Sequence, residues 1–471
     1  MERNGKKQTV VVIGAGLTGL TTAYWLRRSG INVHVIERQQ RIGGQIQTHR
    51  HGDFVFESGP TTGSISTPEV AELMADLEVQ SHGKCVLETA PDAAKRRLIW
   101  KGDRFHALPS GLMSALKTPL FTPLDKLRIL GEPWRKRGTN PDETIGELTM
   151  RRLGKSFLDY AVNPFISGVY AGDPNMLVTR YAAPKLYQLE ANYGSFVRGA
   201  IKKSKQPKSE REKLATKKVF SARGGLSNII EAEANFIGNE NITLGAQEVR
   251  IEPTESGWKT TYLDTDYRRC TIFSQEVVTT CGAYELPQLL PFLSAEELSP
   301  ITSLKYSPVM EVNVGANNTY GGDYCAFGAL VPALERRRIL GILFPSACFT
   351  QRAPQSGALF AFFIGGIRHP EMLDLNDEEV EKLVTEEWHT MLGFPAQAAP
   401  DLIHISRHQR AIPQYEASTG ARLEAVSSIE RTHTGLTIGG NLRDGIGMGN
   451  RITQAANFAK QIIQRYHEAK L

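Results

Sequence analysis

The order of apolar and polar residues at the start of the chain predicts a strand, a helix and a second strand. Thr9–Ile13 is almost wholly apolar, and Leu17–Arg28 after it has the apolar spacing of a helix. Ile31–Glu37 is again a short apolar run and ends on an acidic residue. This alternation is typical of a βαβ unit, which contributes two parallel strands to one sheet.

Later patterns predict a helical segment followed by two β-rich blocks. The segment from Lys101 to Ile201 has short helical patterns interrupted by prolines, so we expect a mostly helical insertion. Alternating runs between Ile242 and Thr280 predict strands, and Val309–Gly366 predicts a second sheet. Glu378–Leu392 fits a surface helix, and an amphipathic helix is expected from about Asn450 to Tyr466.

The amino-acid composition fits a soluble globular enzyme. The chain has 471 residues, enough for two or three domains, of which 41% are hydrophobic and 22% charged. Its net charge of +5 is too small to indicate nucleic-acid binding. The basic tract at residues 202–218 predicts a solvated loop, with a lipid-binding patch as the alternative.

The cysteines and the length of the apolar runs indicate in which cellular compartment the protein is expected. The five cysteines are widely spaced without a Cys-x-x-Cys pair, which is typical of reduced thiols in a cytosolic protein. No metal-ligand spacing is present, so no metal site is predicted. The charged N-terminus predicts no signal peptide, and no apolar run reaches the roughly 18 residues that span a bilayer. We therefore expect a cytoplasmic protein.

A dinucleotide-binding fingerprint joins the first strand to the first helix. In Gly14–Gly19, the first two glycines allow a tight turn and a close approach of the backbone to a pyrophosphate. Gly19 lets the helix pack on its strand, and the helix N-terminus favours phosphate. Glu37 lies about 20 residues further on, where an acid binds a ribose hydroxyl. The added Arg41-Ile42-Gly43-Gly44 motif shifts the expected cofactor from a nicotinamide dinucleotide towards FAD. Arg41 can neutralise a pyrophosphate charge.

With these motifs the chain resembles the oxygen-dependent protoporphyrinogen oxidases of the FAD-dependent amine-oxidase superfamily, over almost its whole length. The superfamily motifs are Gly14–Gly19, Glu37, Arg41–Gly44 with Thr48, Glu57–Pro60 and Gly439–Asn441. The segments similar to the porphyrinogen branch are Arg97–Trp100, Ala107–Gly111, Gly168–Pro174, Phe220–Leu226 and Ala411–Tyr415.

The resemblance implies an α/β fold with three parts. These are a Rossmann-like FAD-binding domain of the amine-oxidase and p-hydroxybenzoate hydroxylase type, an inserted mixed-sheet substrate domain and a helical membrane-contact domain. The FAD-binding domain is expected to comprise residues 1–85, 219–296 and 405–471. The β-rich substrate domain is expected to comprise 86–100 and 297–404, and the helical insertion 101–218.

The resemblance also implies non-covalent FAD and assigns residues to it. Glu57–Pro60 is expected to pass the flavin ring, and Gly445–Gly449 to face its pyrimidine edge. The helix N-terminus that follows favours the negative charge of the reduced ring. The backbone of Val249 is expected to contact adenine. The expected FAD contacts are Gly14, Ala15, Gly16, Thr18, Gly19, Glu37, Arg38, Arg41, Gly43, Gly44, Gly59, Pro60, Thr61, Val249, Gly447 and Met448.

The implied reaction is the six-electron oxidation of protoporphyrinogen IX to protoporphyrin IX, with hydrides passed to FAD and molecular oxygen reduced to hydrogen peroxide. Gly172 is expected to present its carbonyl to the ring nitrogens as the catalytic contact. Arg97 matches an arginine that pairs with a substrate propionate. Leu330 and Leu343 are expected to enclose one pyrrole ring, and Phe363 to stack on another.

Two departures from the family pattern leave other substrates open. Thr61-Thr62 follow Pro60 where some members have Asn, and no Trp lies near Arg407-His408-Gln409. The nearest alternative is coproporphyrinogen III, oxidised by the same chemistry. An amine oxidase or carotenoid desaturase is a more distant one, and a silent flavoprotein is another. Against covalent attachment of FAD, as in some amine oxidases, no cysteine lies in Gly439–Asn457.

Gly111–Leu130 predicts either an interfacial segment or an ordinary helix contact. It combines leucines with Lys117 and Lys126, so one side is apolar and the other basic. The segment lies in the insertion that resembles the membrane-contact domain of the family. From the resemblance we expect a peripheral contact with the inner face of the cell membrane. A transient contact with ferrochelatase and a homodimer stay open expectations.

Overall fold

The structure is a computed structural model that describes residues 3–109 and 111–468, so that Ser110 of the Ala107–Gly111 segment lies outside it. Its strands are β1 (Arg3–Ile13), β2 (Val33–Ile36), β3 (Thr48–His51), β4 (Phe54–Glu57), β5 (Gly63–Ser64), β6 (Leu87–Thr89), β7 (Arg97–Lys101), β8 (Arg104–Ala107), β9 (Val219–Ala222), β10 (Ile242–Thr243), β11 (Gln247–Thr254), β12 (Gly257–Leu263), β13 (Arg269–Thr279), β14 (Tyr306–Ala316), β15 (Gly328–Leu330), β16 (Ile339–Leu343), β17 (Ala358–Gly365), β18 (Leu402–Pro413) and β19 (Leu436–Ile438).

The α-helices follow the same numbering along the chain. They are α1 (Leu17–Arg28), α2 (Pro68–Gln80), α3 (Leu112–Lys117), α4 (Pro123–Leu130), α5 (Ile145–Arg152), α6 (Lys155–Phe157), α7 (Asn163–Tyr170), α8 (Thr179–Ala182), α9 (Pro184–Tyr193), α10 (Phe196–Ser204), α11 (Glu210–Lys213), α12 (Ser227–Ile237), α13 (Leu286–Leu289), α14 (Ala295–Thr302), α15 (Pro345–Cys348), α16 (Asp377–Leu392), α17 (Thr419–Thr432) and α18 (Met448–Glu468).

The first large sheet contains both the first and the last strand of the described chain. Its order is β10-β2-β1-β13-β12-β11, with β19 paired to β13. The strands β10, β2, β1, β13 and β19 are parallel. Side chains of β1 alternate between two cores: Val10 and Val12 pack with α1 and α18, whereas Val11 and Ile13 face Trp258. A strand buried on both faces is apolar throughout, which explains the initial run.

The second large sheet has the order β18-β14-β17-β16-β15-β7-β8 and is mixed, since only β15 and β7 are parallel. Helix α16 buries Trp388 against one of its faces. Two of the expected domain limits do not coincide with the boundaries of these sheets. Strand β18 crosses the limit at residue 404, and β8 belongs to this sheet although the sequence predicts a helical segment over residues 101–218. The difference comes from a hairpin in which Lys101 pairs with Arg104 and Gly102 adopts a φ of +67°.

Helices α3 to α11 form the expected insertion between β8 and β9. Several prolines that interrupt its sequence pattern begin helices, as Pro123 does in α4 and Pro184 in α9. In the basic tract, Arg211 forms ion pairs of 2.7 Å with Glu69 and Glu72 of α2. None of the helices in residues 3–109 and 111–468 has the length and apolar character that crossing a membrane requires.

Candidate active site

The phosphate loop needs glycine at two positions for different steric reasons. Gly14 has a φ of +103°, and a Cβ there would lie 2.6 Å from Thr280 Oγ1. A Cβ on Gly19 would come within 1.9 Å of the Gly14 carbonyl oxygen, so only glycine lets α1 pack this closely. At Gly16, by contrast, the nearest atom would be Gly44 Cα at 3.9 Å. The space in front of Gly16 is therefore open.

The start of α1 leaves donors that fit a phosphate group. No side chain caps the helix at Gly16. In the described part of the chain, nothing accepts a hydrogen bond from the amide of Thr18. Orphan amides and the positive end of the helix dipole together form an anion site. These residues therefore fit the pyrophosphate of a dinucleotide.

The second glycine loop lies directly beside the first. The Gly43 amide donates to the Ala15 carbonyl oxygen at 2.8 Å, and Gly44 approaches Gly16. The Arg41 guanidinium donates to the Gly44 carbonyl at 2.7 Å and more weakly to two neighbouring carbonyls, so it holds this loop in shape. Its predicted contact with the pyrophosphate stays a prediction.

The acidic residue after β2 contacts the phosphate loop directly. Glu37 accepts hydrogen bonds of 2.7 Å from the amides of Ala15 and Gln39. Arg38 is exposed and pairs with Glu285 at 2.8 Å. Val249 lies in a bulge of β11, so it has no paired residue on β12. The predicted ribose and adenine contacts of Glu37 and Val249 stay predictions.

The loop after β19 lies at the same edge of the sheet. Ile438 pairs with Thr279, and Thr279 pairs on its other side with Ile13, so three parallel strands end together. Ligands of open α/β sheets bind at this carboxyl edge. The loop leads into α18, where the Gly447 amide donates to Asn450 Oδ1 at 3.2 Å and Met448 begins the helix.

The turn expected to pass the flavin is held by a buried ion pair. A Cβ on Gly59 would lie 2.1 Å from the Gln45 carbonyl oxygen, so this position requires glycine. Glu57 pairs at 3.0 Å with Arg352, and both side chains are almost completely buried. Thr48 Oγ1 and the Leu226 amide also donate to Glu57. Sequence reasoning missed Arg352, because no local pattern marks it.

A second buried acid lies beside this turn and was also missed. Thr61 Oγ1 donates to Glu311 Oε1 at 3.2 Å, and Glu311 is 1% exposed. Burial raises the pKa of Glu311 well above its ordinary value, and the nearby carboxylate of Glu57 raises it further. Both effects favour the neutral form of the Glu311 carboxyl. A lone glutamate inside an apolar strand was the available indication in the sequence.

Gly172 lies where the helical insertion meets the second sheet. The preceding Ala171 has a φ of +45°, and its carbonyl accepts hydrogen bonds of 2.8 Å from Ser307 Oγ and the Ile367 amide. A Cβ on Gly172 would lie 2.6 Å from Gln414 Oε1. The Gln414 side chain is buried and also donates to backbone on both sides. The role of the Gly172 carbonyl stays a prediction.

The three predicted slot residues share one face of the second sheet. Leu330, Gly341, Phe363 and Glu311 are partners in register across β15, β16, β17 and β14. Leu343 lies two residues further along β16 and so points to the same side. The leucines and Phe363 are half-buried, whereas the alternate residues of these strands pack against Trp388 in the core. Helix α7 covers the slot face over β15 and β16.

Arg97 carries a charge that the described residues do not neutralise. It begins β7 opposite Gly328 of β15, so it lies at the edge of the slot sheet. Its side chain is exposed, its Cζ lies 5.5 Å from the ring centre of Phe327, and it has no ion-pair partner within residues 3–109 and 111–468. The neighbouring Arg96 differs, because it lies 3.9 Å from Asp323. Arg97 is therefore available to a carboxylate.

The chain is similar over almost its whole length to proteins named protoporphyrinogen oxidase. It is 28% identical to the protoporphyrinogen oxidase of Homo sapiens, covering 97% of this chain and 98% of that protein. It is 25% identical to protoporphyrinogen oxidase 2, chloroplastic/mitochondrial, of Arabidopsis thaliana, covering 98% and 94%.

Solved structures share the fold at lower sequence identity. A crystal structure from Exiguobacterium sp. 255-15, which carries the provisional name protoporphyrinogen oxidase, superposes with a TM-score of 0.79 at 19% identity, covering 98% of this chain and all of that one. Reduced UDP-galactopyranose mutase gives 0.72 at 15%, covering 97% and 96%. The sequence model of flavin-containing amine oxidoreductases matches residues 17–443. The chain therefore belongs to the flavin-containing amine oxidoreductase family and is an FAD-dependent oxidoreductase.

Proposed function

We propose that this oxidoreductase converts protoporphyrinogen IX to protoporphyrin IX. The observation that carries the proposal is the row of half-buried apolar side chains, Leu330, Leu343 and Phe363, which shares a sheet with the unpaired Arg97. A flexible tetrapyrrole with two propionates needs an apolar slot and a cation in this arrangement. The full-length similarity to proteins named protoporphyrinogen oxidase supports the same substrate.

In the proposed reaction the protein binds and orients the substrate. The apolar slot excludes water and holds the macrocycle, while Arg97 fixes one propionate with a charged hydrogen bond. The Gly172 carbonyl supplies an acceptor for ring N–H groups. Bound FAD supplies the redox chemistry as hydride acceptor in three rounds, with molecular oxygen as the final acceptor and hydrogen peroxide as the second product. Formation of an aromatic macrocycle provides driving force, so no strong base is needed.

Aerobic turnover of two porphyrinogens tests this proposal. Protoporphyrinogen IX and coproporphyrinogen III are supplied separately to the purified yellow protein, and porphyrin fluorescence and peroxide are followed. We expect a higher kcat/KM for protoporphyrinogen IX, because the four carboxylates of coproporphyrinogen III require more cations than Arg97. A higher kcat/KM for coproporphyrinogen III would instead identify that compound as the substrate. Peroxide formed with amines but with neither porphyrinogen would contradict both porphyrinogen assignments.

We also propose that the helical insertion makes a peripheral contact with the inner face of the cell membrane. Leu124 and Leu127 lie on one side of α4 and are strongly exposed, and Trp134 after it is 77% exposed. The exposed Lys117 lies in the same segment and suits anionic headgroups, whereas Lys126 Nζ donates to the carbonyl oxygens of Leu116 and Thr118 at 2.7 Å. Such a contact would hold the enzyme where an apolar porphyrin product accumulates.

Co-sedimentation with anionic vesicles measures this contact. We expect wild type to bind and the triple variant Leu124→Ser/Leu127→Ser/Trp134→Ser to stay in solution with unchanged flavin content. The matched control is Val79→Ser, which removes an equally exposed apolar side chain from α2. Equal binding by the triple variant would contradict the proposed contact.

A further inference from the structure

Arg451 holds the loop between β19 and α18 from one side. It lies in the first turn of α18 and is 8% exposed. Its guanidinium donates to the carbonyl oxygens of Gly440, Arg443 (2.7 Å) and Gly445 (2.8 Å). It also donates to Gln454 Oε1 at 2.9 Å. All four of these hydrogen bonds are therefore to uncharged acceptors.

Arg422 of α17 reaches the same loop from a second helix. It is completely buried and donates to the Leu442 carbonyl oxygen at 2.9 Å and to Thr419 Oγ1 at 3.2 Å. Its Cζ lies 5.4 Å from the ring centre of Tyr415. Arg422 Nη1 and Arg451 Nε are buried without a partner among the described residues.

Neither guanidinium forms an ion pair with a carboxylate in residues 3–109 and 111–468, and Asp444 acts on Arg451, and Glu416 on Arg422, only at longer range. Asp444 belongs to the same loop, but it accepts from Gln454 Nε2 at 2.7 Å and lies 3.7 Å from Arg443. Burial lowers the pKa of Arg422 and of Arg451, yet a guanidinium keeps its proton at any working pH. Buried charges are nearly always paired, so two unpaired cations here indicate an anionic partner that the protein itself does not provide.

The two arginines also determine which way the loop amides point. In a trans peptide the N–H points opposite to the preceding C=O, and the described chain contains no cis bond. The carbonyls of residues 440, 442, 443 and 445 point to the arginines. The amides of Asn441, Arg443, Asp444 and Ile446 therefore point away from them, and no described residue accepts from these four amides. Orphan amides in a turn of this kind form an anion-binding nest.

The position of the nest indicates which part of FAD it can contact. It lies at the carboxyl edge of the parallel strands, beside Gly14–Gly19, as the pairing of Ile438 through Thr279 to Ile13 requires. The phosphate loop and α1 already offer donors to the pyrophosphate. The other anion that FAD presents is the reduced isoalloxazine ring, whose charge lies at N1 and O2 when one proton and two electrons have been added.

We propose that Arg451 and Arg422 are positioning residues that stabilise the anionic reduced flavin through this loop and thereby raise the reduction potential of the bound FAD. The inference rests on the FAD-dependent activity and not on the porphyrinogen substrate. Hydride acceptance places two electrons and one proton on the flavin, and the negative charge that remains is stabilised by the cations and the aligned amides. Neither arginine gains or loses a proton.

Anaerobic redox titration of the holoprotein tests the inference in Arg451→Gln, Arg451→Lys and Arg422→Gln. We expect each Gln variant to make FAD reduction about tenfold less favourable, which corresponds to a midpoint about 30 mV more negative for a two-electron couple. The pH at which the reduced flavin takes up a proton, followed by absorbance, should rise. Arg451→Lys keeps the charge and should retain most of the potential. Arg465→Gln is the control, because it lies on the same helix and pairs with Glu276.

Two results would overturn the inference. One is an unchanged midpoint and an unchanged protonation pH in Arg451→Gln that retains FAD. The other is weaker FAD binding at an unchanged midpoint, which assigns the arginines to loop structure alone. If Arg451→Gln does not retain FAD, Arg422→Gln decides, since it removes one charge and a single loop contact. Porphyrinogen turnover does not enter these measurements, so a wrong substrate assignment leaves their outcome unaffected.

Discussion

Thr61 Oγ1 donates a 3.2 Å hydrogen bond to Glu311 Oε1, and this contact connects the FAD-binding part of the chain to the substrate sheet. Thr61 follows the turn expected to pass the flavin, whereas Glu311 lies on β14 directly opposite Phe363 of the slot. No described cation pairs with Glu311, and burial raises the pKa of its carboxyl. The cofactor turn and the substrate slot are thus joined through one buried acid.

Glu311 should make stability fall as the pH rises. Its pKa is raised in the folded state, mainly by burial and further by ionised Glu57, so its favourable contribution is complete below the unfolded pKa of about 4.5. That contribution is lost as the pH rises toward the folded pKa, because the folded state resists ionisation. Glu311→Gln, which stays neutral and can still accept from Thr61, should therefore raise the melting temperature at pH 8 more than at pH 5.

Scanning calorimetry at both pH values measures this difference. Glu255→Gln serves as the control, because it makes the same substitution at an exposed position. The same increase in melting temperature at pH 5 and pH 8 for Glu311→Gln would contradict a raised pKa of Glu311.

Removal of Arg352 should destabilise the protein strongly. Arg352→Met leaves the carboxylate of Glu57 buried without its cation, which costs about 3–5 kcal/mol in comparable buried pairs. Ser221 Oγ also loses its donor at 2.8 Å. Denaturant unfolding of the holoprotein measures the loss. The double variant Glu57→Gln/Arg352→Met should recover part of it, and a double variant as unstable as the sum of both changes would show that the two charges do not interact.

Local patterns were sufficient for the elements at both ends of the FAD-binding sheet. Helix α1 has the predicted bounds, Leu17–Arg28, and the phosphate loop lies between β1 and α1 as its glycines require. The C-terminal helix was also predicted, although it begins at Met448 rather than Asn450. In each case the contacts that form the element are between residues close in sequence. A local sequence pattern is therefore enough to predict it.

The buried polar partners of the site could not be predicted, because they come from distant parts of the chain. Arg352 lies 295 residues from Glu57, and Glu311 lies 250 residues from Thr61. In a sequence, a charged residue indicates a solvated position, and only the sheet register shows that Glu311 is enclosed. Arg451 belongs to the same class, since an arginine in an amphipathic helix is normally on its exposed side.

Gly16→Ala should weaken FAD binding without unfolding the protein. The backbone at Gly16 has an ordinary φ of −78°, and an added Cβ meets no protein atom closer than 3.9 Å. The methyl group would instead occupy the open space that faces the pyrophosphate. We expect FAD affinity to fall at least tenfold, about 1.4 kcal/mol, while circular dichroism stays unchanged. Gly131→Ala, with a φ of −82° and its nearest atom at 3.6 Å, is the matched control. Full flavin retention by Gly16→Ala would contradict the assignment of this loop.

Arg97→Ala should weaken porphyrinogen binding and leave the flavin untouched. A hydrogen bond to a charged group contributes about 1.5–3 kcal/mol, so its loss predicts a KM roughly ten- to a hundredfold higher. FAD content and the flavin spectrum should match wild type, since Arg97 lies on β7 of the second sheet. Arg96→Ala is the matched control, because that neighbouring side chain lies near Asp323 instead. Steady-state kinetics on both variants measure this difference. A KM of Arg97→Ala equal to that of wild type would show that Arg97 does not bind the substrate.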